Sequence, residues 1–102
     1  MVVYDFSKEY TTTPFARNKE HDSRHNGEDF REILQKWIEN KEEVLIKIND
    51  LELPFSDSFV DASFCSLIRK DKESFDKYIK IDDKTEDEKD LQITIREVLE
   101  RQ

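Results

Sequence analysis

Ser56, Asp57, Ser58 and Asp61 are the residues of this chain best suited to chemistry. They follow residues 43–49, an apolar stretch that reads as a strand, and they lead into an amphipathic helical pattern that opens at Phe59. Serines and carboxylates therefore occupy a strand-to-helix junction. The first N–H groups of a helix have no intrahelical partner, and the helix dipole is positive there. A serine at that point either caps the helix or offers a hydroxyl where phosphate is tolerated. On the first reading Ser56 or Ser58 is the cap, and Asp57 and Asp61 complement the dipole. On the second, Ser58 is a phosphoacceptor, and phosphate adds roughly two negative charges beside the aspartates. A protein partner seated on Ser56, Ser58, Phe59 and the start of the helix would then be repelled.

Other constellations are weaker. His21, Asp22 and His25 are zinc-ligand types, but their spacing matches no closed site, and the only cysteine, Cys65, falls within a helix. They read as a solvated loop, and no metal is expected. Cys65 lies well inside its helix, away from the N-terminus that would activate a thiol, so it reads as a small packing residue. Arg17, Arg24 and Arg31 could form a basic spot for an anion or an acidic partner segment. Solvated loop arginines and a helix-surface pair between Arg31 and Glu28 explain the same residues more simply.

Composition narrows the classes. The chain has 102 residues, enough for one domain over 1–102 and too few for two cores. Its formal net charge of −8 works against phosphate backbones, so no nucleic-acid partner is expected. No apolar run reaches the length of a bilayer span, and no signal peptide is evident; with a single cysteine, the expected setting is cytoplasmic, with no membrane partner. The one glycine, Gly27, excludes a Walker loop or a dinucleotide fingerprint, both of which need several. No enzyme motif stands out, so neither catalysis nor a cofactor is expected.

The elements that position the junction follow from periodicity. Residues 1–6 read as a strand, and the Thr-rich residues 10–15 are also extended in character. Residues 16–26 read as a polar loop and a candidate for mobility. Phe30, Ile33, Leu34, Trp37 and Ile38 make one apolar helical stripe after Asn26-Gly27. In the central strand Val44, Ile46 and Ile48 face one way, opposite Leu45 and Lys47. Phe59, Val60, Phe64, Leu67 and Ile68 mark the second helix, about 58–69. Residues 70–77 read as a charged connection and 78–81 as a strand. Thr85 and Glu88 have capping-box spacing, and Leu91, Ile95, Val98 and Leu99 mark a last helix. The acidic residues from 82 to 90 read mostly as a solvated face. The order is ββ-α-β-α-β-α: an α/β fold with a small mixed sheet and about three helices, packed mainly on one face.

Three segments resemble a known family. Residues 27–32 read G-E-D-F-R-E, and residues 56–64 read S-D-S-F-V-D-A-S-F. Both patterns, with Phe15-Ala16-Arg17 upstream, resemble the STAS-like family of uncharacterised bacterial proteins, similar in turn to the STAS domains of anti-sigma factor antagonists. The resemblance covers about residues 14–70. It implies a STAS-like fold and a regulatory module that is not an enzyme. In the antagonists an Asp-Ser pair opens the helix after the central strand, and a kinase-type regulator phosphorylates the serine. That pair corresponds to Asp57-Ser58; where the antagonists continue with a small polar residue and a glycine, this chain has Phe59-Val60. The expected function is partner switching with another protein, either a kinase-type ATPase regulator or a larger effector. The alternative is a defence, counter-defence or toxin–antitoxin component that binds a larger effector protein.

Overall fold

Three short strands, β1 (Val2–Asp5), β2 (Val44–Lys47) and β3 (Ile79–Ile81), form the sheet in the order β1-β2-β3. The computed structural model describes residues 1–101. Both pairings are parallel, with Tyr4 beside Ile46 and Ile46 beside Ile81. The expected mixed sheet is thus wholly parallel, because helices cross between each strand and the next. Residues 10–15 join no ladder. Pro14 has no N–H to offer, Thr13 N–H donates to Thr11 Oγ1 at 3.1 Å, and Thr12 O accepts from Glu52 N–H at 2.9 Å.

There are five helices where about three were expected: α1 (Phe6–Glu9), α2 (Gly27–Glu39), α3 (57–70), α4 (Lys72–Tyr78) and α5 (Glu86–Glu100). The expected charged connection is helix α4. Asp71 caps it by accepting from Ser74 N–H at 3.1 Å, Lys72 pairs with Asp76 one turn on, and Phe75 anchors it in the core. One buried apolar residue makes no stripe, so periodicity could not reveal this element.

Val44, Ile46 and Ile48 are fully buried beneath the helices, whereas Leu45 is half-buried and Lys47 exposed between them. The helices therefore cover one face of the sheet. On the open face Lys47 reaches across to Asp82 at 2.7 Å. Helix α3 is the middle of the helical layer, in contact with α2, α4 and α5. It starts as α-helix (Asp57–Val60), passes through a π turn (Asp61–Cys65) and ends as α-helix (Ser66–Lys70). Ala62, Ser63 and Cys65 are buried with the expected Phe59, Val60, Phe64 and Leu67, so the middle of α3 has almost no polar face.

Aromatic rings fill the centre. Phe6 meets Phe30 and Phe59 edge-on at 5.0 Å and 6.0 Å, and Phe55 at a tilt at 5.0 Å. Phe30, Leu34, Phe64 and Leu67 are buried as expected; Trp37 is only half-buried, with its ring edge-on to Tyr4 at 4.9 Å.

The start of α5 seals the end of β2. Thr85 and Glu88 form the capping box, and the buried Glu88 carboxylate also accepts from Ile48 N–H at 2.9 Å. Thr85 Oγ1 donates to Ile48 O at 2.6 Å, and Asp87 accepts from Leu51 N–H at 3.1 Å. Several residues of the expected acidic solvated face thus serve the fold, because the central strand ends with backbone groups that need partners.

Candidate functional site

Four consecutive carbonyls hold two helix starts together. Pro14 O accepts from Ser56 N–H at 3.0 Å, and Phe15 O accepts from the Ser56 hydroxyl at 2.7 Å. Ala16 O and Arg17 O accept from Gly27 N–H at 2.9 Å and Glu28 N–H at 3.0 Å. Residues 14–17 thereby satisfy the leading N–H groups of α2 and the residue that caps α3. The capping side chains lie alongside: Asn26 accepts from Asp29 N–H at 2.8 Å, and Ser56 accepts from Phe59 N–H at 3.0 Å. Tyr10 reinforces the junction, donating to Asn26 O at 2.7 Å and accepting from Asn26 N–H at 3.1 Å.

Between the two open readings of the serines, capping falls to Ser56. Ser58 stands in the first turn of α3, exposed, and its hydroxyl enters no hydrogen bond among the described residues. It borders a hollow of about 210 Å³ with Phe15, Ala16, Arg17 and His21. Phe15 is 46% exposed there, an apolar ring beside a cation and a free hydroxyl.

The aspartates do more than complement a dipole. Asp61 accepts from Arg17 at 2.8 Å and from Arg69 at 2.5 Å. Burial pushes its carboxyl up, but hydrogen bonds from Arg69 and Arg17 together outweigh that and hold it below the usual carboxylate range. Asp57 pairs with Arg101 at 2.5 Å, joining the start of α3 to the end of α5. Phe59 requires a correction: it is wholly buried among Phe6, Tyr10, Phe30 and Phe55, so its ring belongs to the core and cannot meet a partner.

The arginines form no common spot by shared partners. Arg17 goes to Asp61 and Arg31 to Glu32 at 3.3 Å rather than to Glu28, while Arg24 is exposed in the loop. Arg69 and Arg101, which reach the junction from elsewhere, carry no motif in the sequence. Arg69 lies eight residues after Asp61, and the extra residue of the π turn swings it back toward Asp61's side of the helix. A regular 3.6-residue period would not align that pair.

The zinc-type side chains serve the loop: Asp22 Oδ1 accepts from Arg24 N–H at 2.9 Å and from His25 N–H at 3.1 Å. His21 Nδ1 lies 3.1 Å from Asn18 Oδ1, and the His25 ring packs edge-on to Tyr10 at 5.4 Å. Cys65 is buried, its Sγ 3.7 Å from Ile95 O, and burial pushes its thiol up to about 11. Among the described residues no group of three or more His, Cys, Asp and Glu side chains is placed to hold a metal. Comparison of the chain with family models, curated proteins and solved structures found no match.

Proposed function

We propose that this chain is a STAS-like regulatory module that binds another protein through the surface around Ser58, with phosphate on Ser58 setting the affinity. The observation that carries the reading is the division of labour between the two serines. Ser56 does the capping, which leaves the Ser58 hydroxyl exposed and free of structural duty. The three segments that resemble the STAS-like family, 15–17, 27–32 and 56–64, converge here through the carbonyls of residues 14–17, which supports a common role for them.

The chemistry is electrostatic. A phosphoserine in the first turn of α3 meets the positive end of the helix, a favourable term of about 0.3–1 kcal/mol. Arg17, which lines the same hollow and is tethered to Asp61, can turn to the phosphate oxygens. The fold tolerates the modification, while a partner covering Phe15 and Ser58 must desolvate about two added charges. Binding to the unmodified chain and release of the phosphorylated one follow.

The test begins with affinity capture from native lysate on the parent chain and on Ser58→Asp, followed by calorimetry with the partner recovered. The parent and Ser58→Ala bind with similar affinity, and Ser58→Asp binds at least about tenfold more weakly, a loss of about 1.4 kcal/mol. Equal affinity for all three chains would remove Ser58 from the mechanism.

A further inference from the structure

At the other end of α3 lies an open groove of about 440 Å³ between α4, β3 and α5. Phe75, Ile79 and Ile95 form its floor and are nearly inaccessible, whereas Ile81 and Leu99 on its walls are half-buried. Cations stand on its rim. Lys72 is occupied by Asp76 at 2.6 Å, but neither Lys80 nor Arg96 pairs with a carboxylate among the described residues; Lys80 meets only the backbone carbonyl of Asp76. In a chain whose Asp and Glu outnumber its Lys and Arg by 25 to 17, Lys80 and Arg96 set two cations without carboxylate partners beside one apolar trough.

We infer that this groove is a docking surface for an acidic amphipathic helix of a partner protein. Apolar side chains of the helix would enter between Ile81 and Leu99, and flanking carboxylates would meet Lys80 and Arg96. Charge complementarity selects the acidic partner: a basic helix would face Lys72, Lys80 and Arg96, against Asp76 alone. The open form selects a peptide over a free amphiphile. Most of the lining is exposed or half-buried, and small ligands hold to pockets that enclose most of their surface. A helix laid in a groove needs only two or three anchors one turn apart. Ser58 and Ile68, which edges the groove, lie on one helix about 15 Å apart along its axis at 1.5 Å per residue. The two surfaces can therefore be occupied independently.

The experiment uses the intact chain and a fluorescein-labelled peptide of about 18 residues, with Leu at i, i+3, i+4 and i+7 and Glu on the flanks. Its mate carries Lys in place of Glu. Anisotropy titrations and amide chemical-shift mapping are run on the parent, Lys80→Glu, Arg96→Glu, Leu99→Ser and Ser58→Asp, each with its circular dichroism compared with the parent. The Leu/Glu peptide binds and shifts amides of residues 79–81 and 92–99. Arg96→Glu and Lys80→Glu each weaken it at least about fivefold, and the double variant at least about tenfold. Leu99→Ser also weakens it, and Ser58→Asp leaves it unchanged. No binding up to about 1 mM, a Kd worth only about 4 kcal/mol, overturns the inference. Equal binding of the Leu/Lys peptide overturns it too, as does displacement of the peptide by decanoate at equal concentration, which would make the groove a site for small amphiphiles. Self-association abolished by Arg96→Glu would assign the groove to a second copy of the chain and likewise overturn it.

Discussion

Gly27 lies so close to Phe59 that a Cβ on the glycine would stand 2.7 Å from the Phe59 carbonyl oxygen and 3.0 Å from the Ala62 Cβ. The first residue of α2 thus rests on the first turns of α3, and the same Phe59 carbonyl accepts the buried Ser63 hydroxyl at 2.7 Å. The need for glycine here is close approach.

Gly27→Ala should therefore destabilise the fold. The clash is with backbone, which cannot rotate away as a flexible side chain would, so an overpacking cost of about 1–3 kcal/mol is expected. Urea denaturation of the parent and the variant checks it; an unchanged midpoint would mean that the two helices are free to separate.

The two serines should part company in stability. Ser56→Ala loses the cap of α3 and the bond to Phe15 O, for a cost of about 0.5–2 kcal/mol. Ser58→Ala, on an exposed residue without a hydrogen bond, should stay within about 0.5 kcal/mol of the parent. Thermal melts of both variants read the difference, and the reverse ranking would return the cap to Ser58.

Glu88 is the next test, because three backbone N–H groups, those of Ile48, Lys84 and Thr85, depend on its carboxylate. Glu88→Ala leaves a buried donor on Ile48 without an acceptor, at about 1–3 kcal/mol. Amide exchange should accelerate most at Ile48 and Thr85; uniform acceleration across the chain would point to global loss alone.

Acid should act through Asp61. Its pKa in the folded chain lies below the ordinary 3.8, so the unfolded chain binds a proton first as pH falls. The stabilisation from its arginines is present above pH 3.8 and disappears as pH drops through the folded value. Asp61→Asn should be less stable than the parent at neutral pH and should lose less on acidification. Urea midpoints between about pH 6 and pH 2.5 measure both, and parallel curves would show that the Asp61 charge contributes nothing.

Alkali should act through Tyr10. Burial, more than its neighbouring carboxylates, pushes the phenol up to about 12, against 10.0 for the free group. The unfolded chain then ionises first, so stability is intact below pH 10 and is lost as pH rises toward 12. Tyr4 is pushed up to about 12 by burial as well, so Tyr10→Phe should reduce the alkaline loss without abolishing it. Its hydrogen bonds with Asn26 should cost the variant about 0.5–1.5 kcal/mol at neutral pH. An alkaline limb identical to the parent's would exclude Tyr10 from that titration.

Local pattern was enough to place much of this chain by sequence alone. The stripe from Phe30 to Ile38 and the alternation of Val44, Ile46 and Ile48 record which side faces the core, and the capping box joins Thr85 to a residue three positions on. Such features depend on neighbours within one or two turns. Helix α4 escaped because Phe75 alone is no pattern, and the expected second strand failed because loop partners took the backbone groups of residues 10–15. At the candidate site, sequence placed the serines at a helix start but could not say which one caps it. That choice follows from Pro14 and Phe15, whose carbonyls bind Ser56 from about 40 residues away. Arg17–Asp61 and Arg101–Asp57 each span 44 residues, and burial of Phe59 depends on rings from three separate segments, Phe6 with Tyr10, Phe30 and Phe55. Composition and spacing carry no record of those meetings, because only the packed chain brings such distant groups within reach.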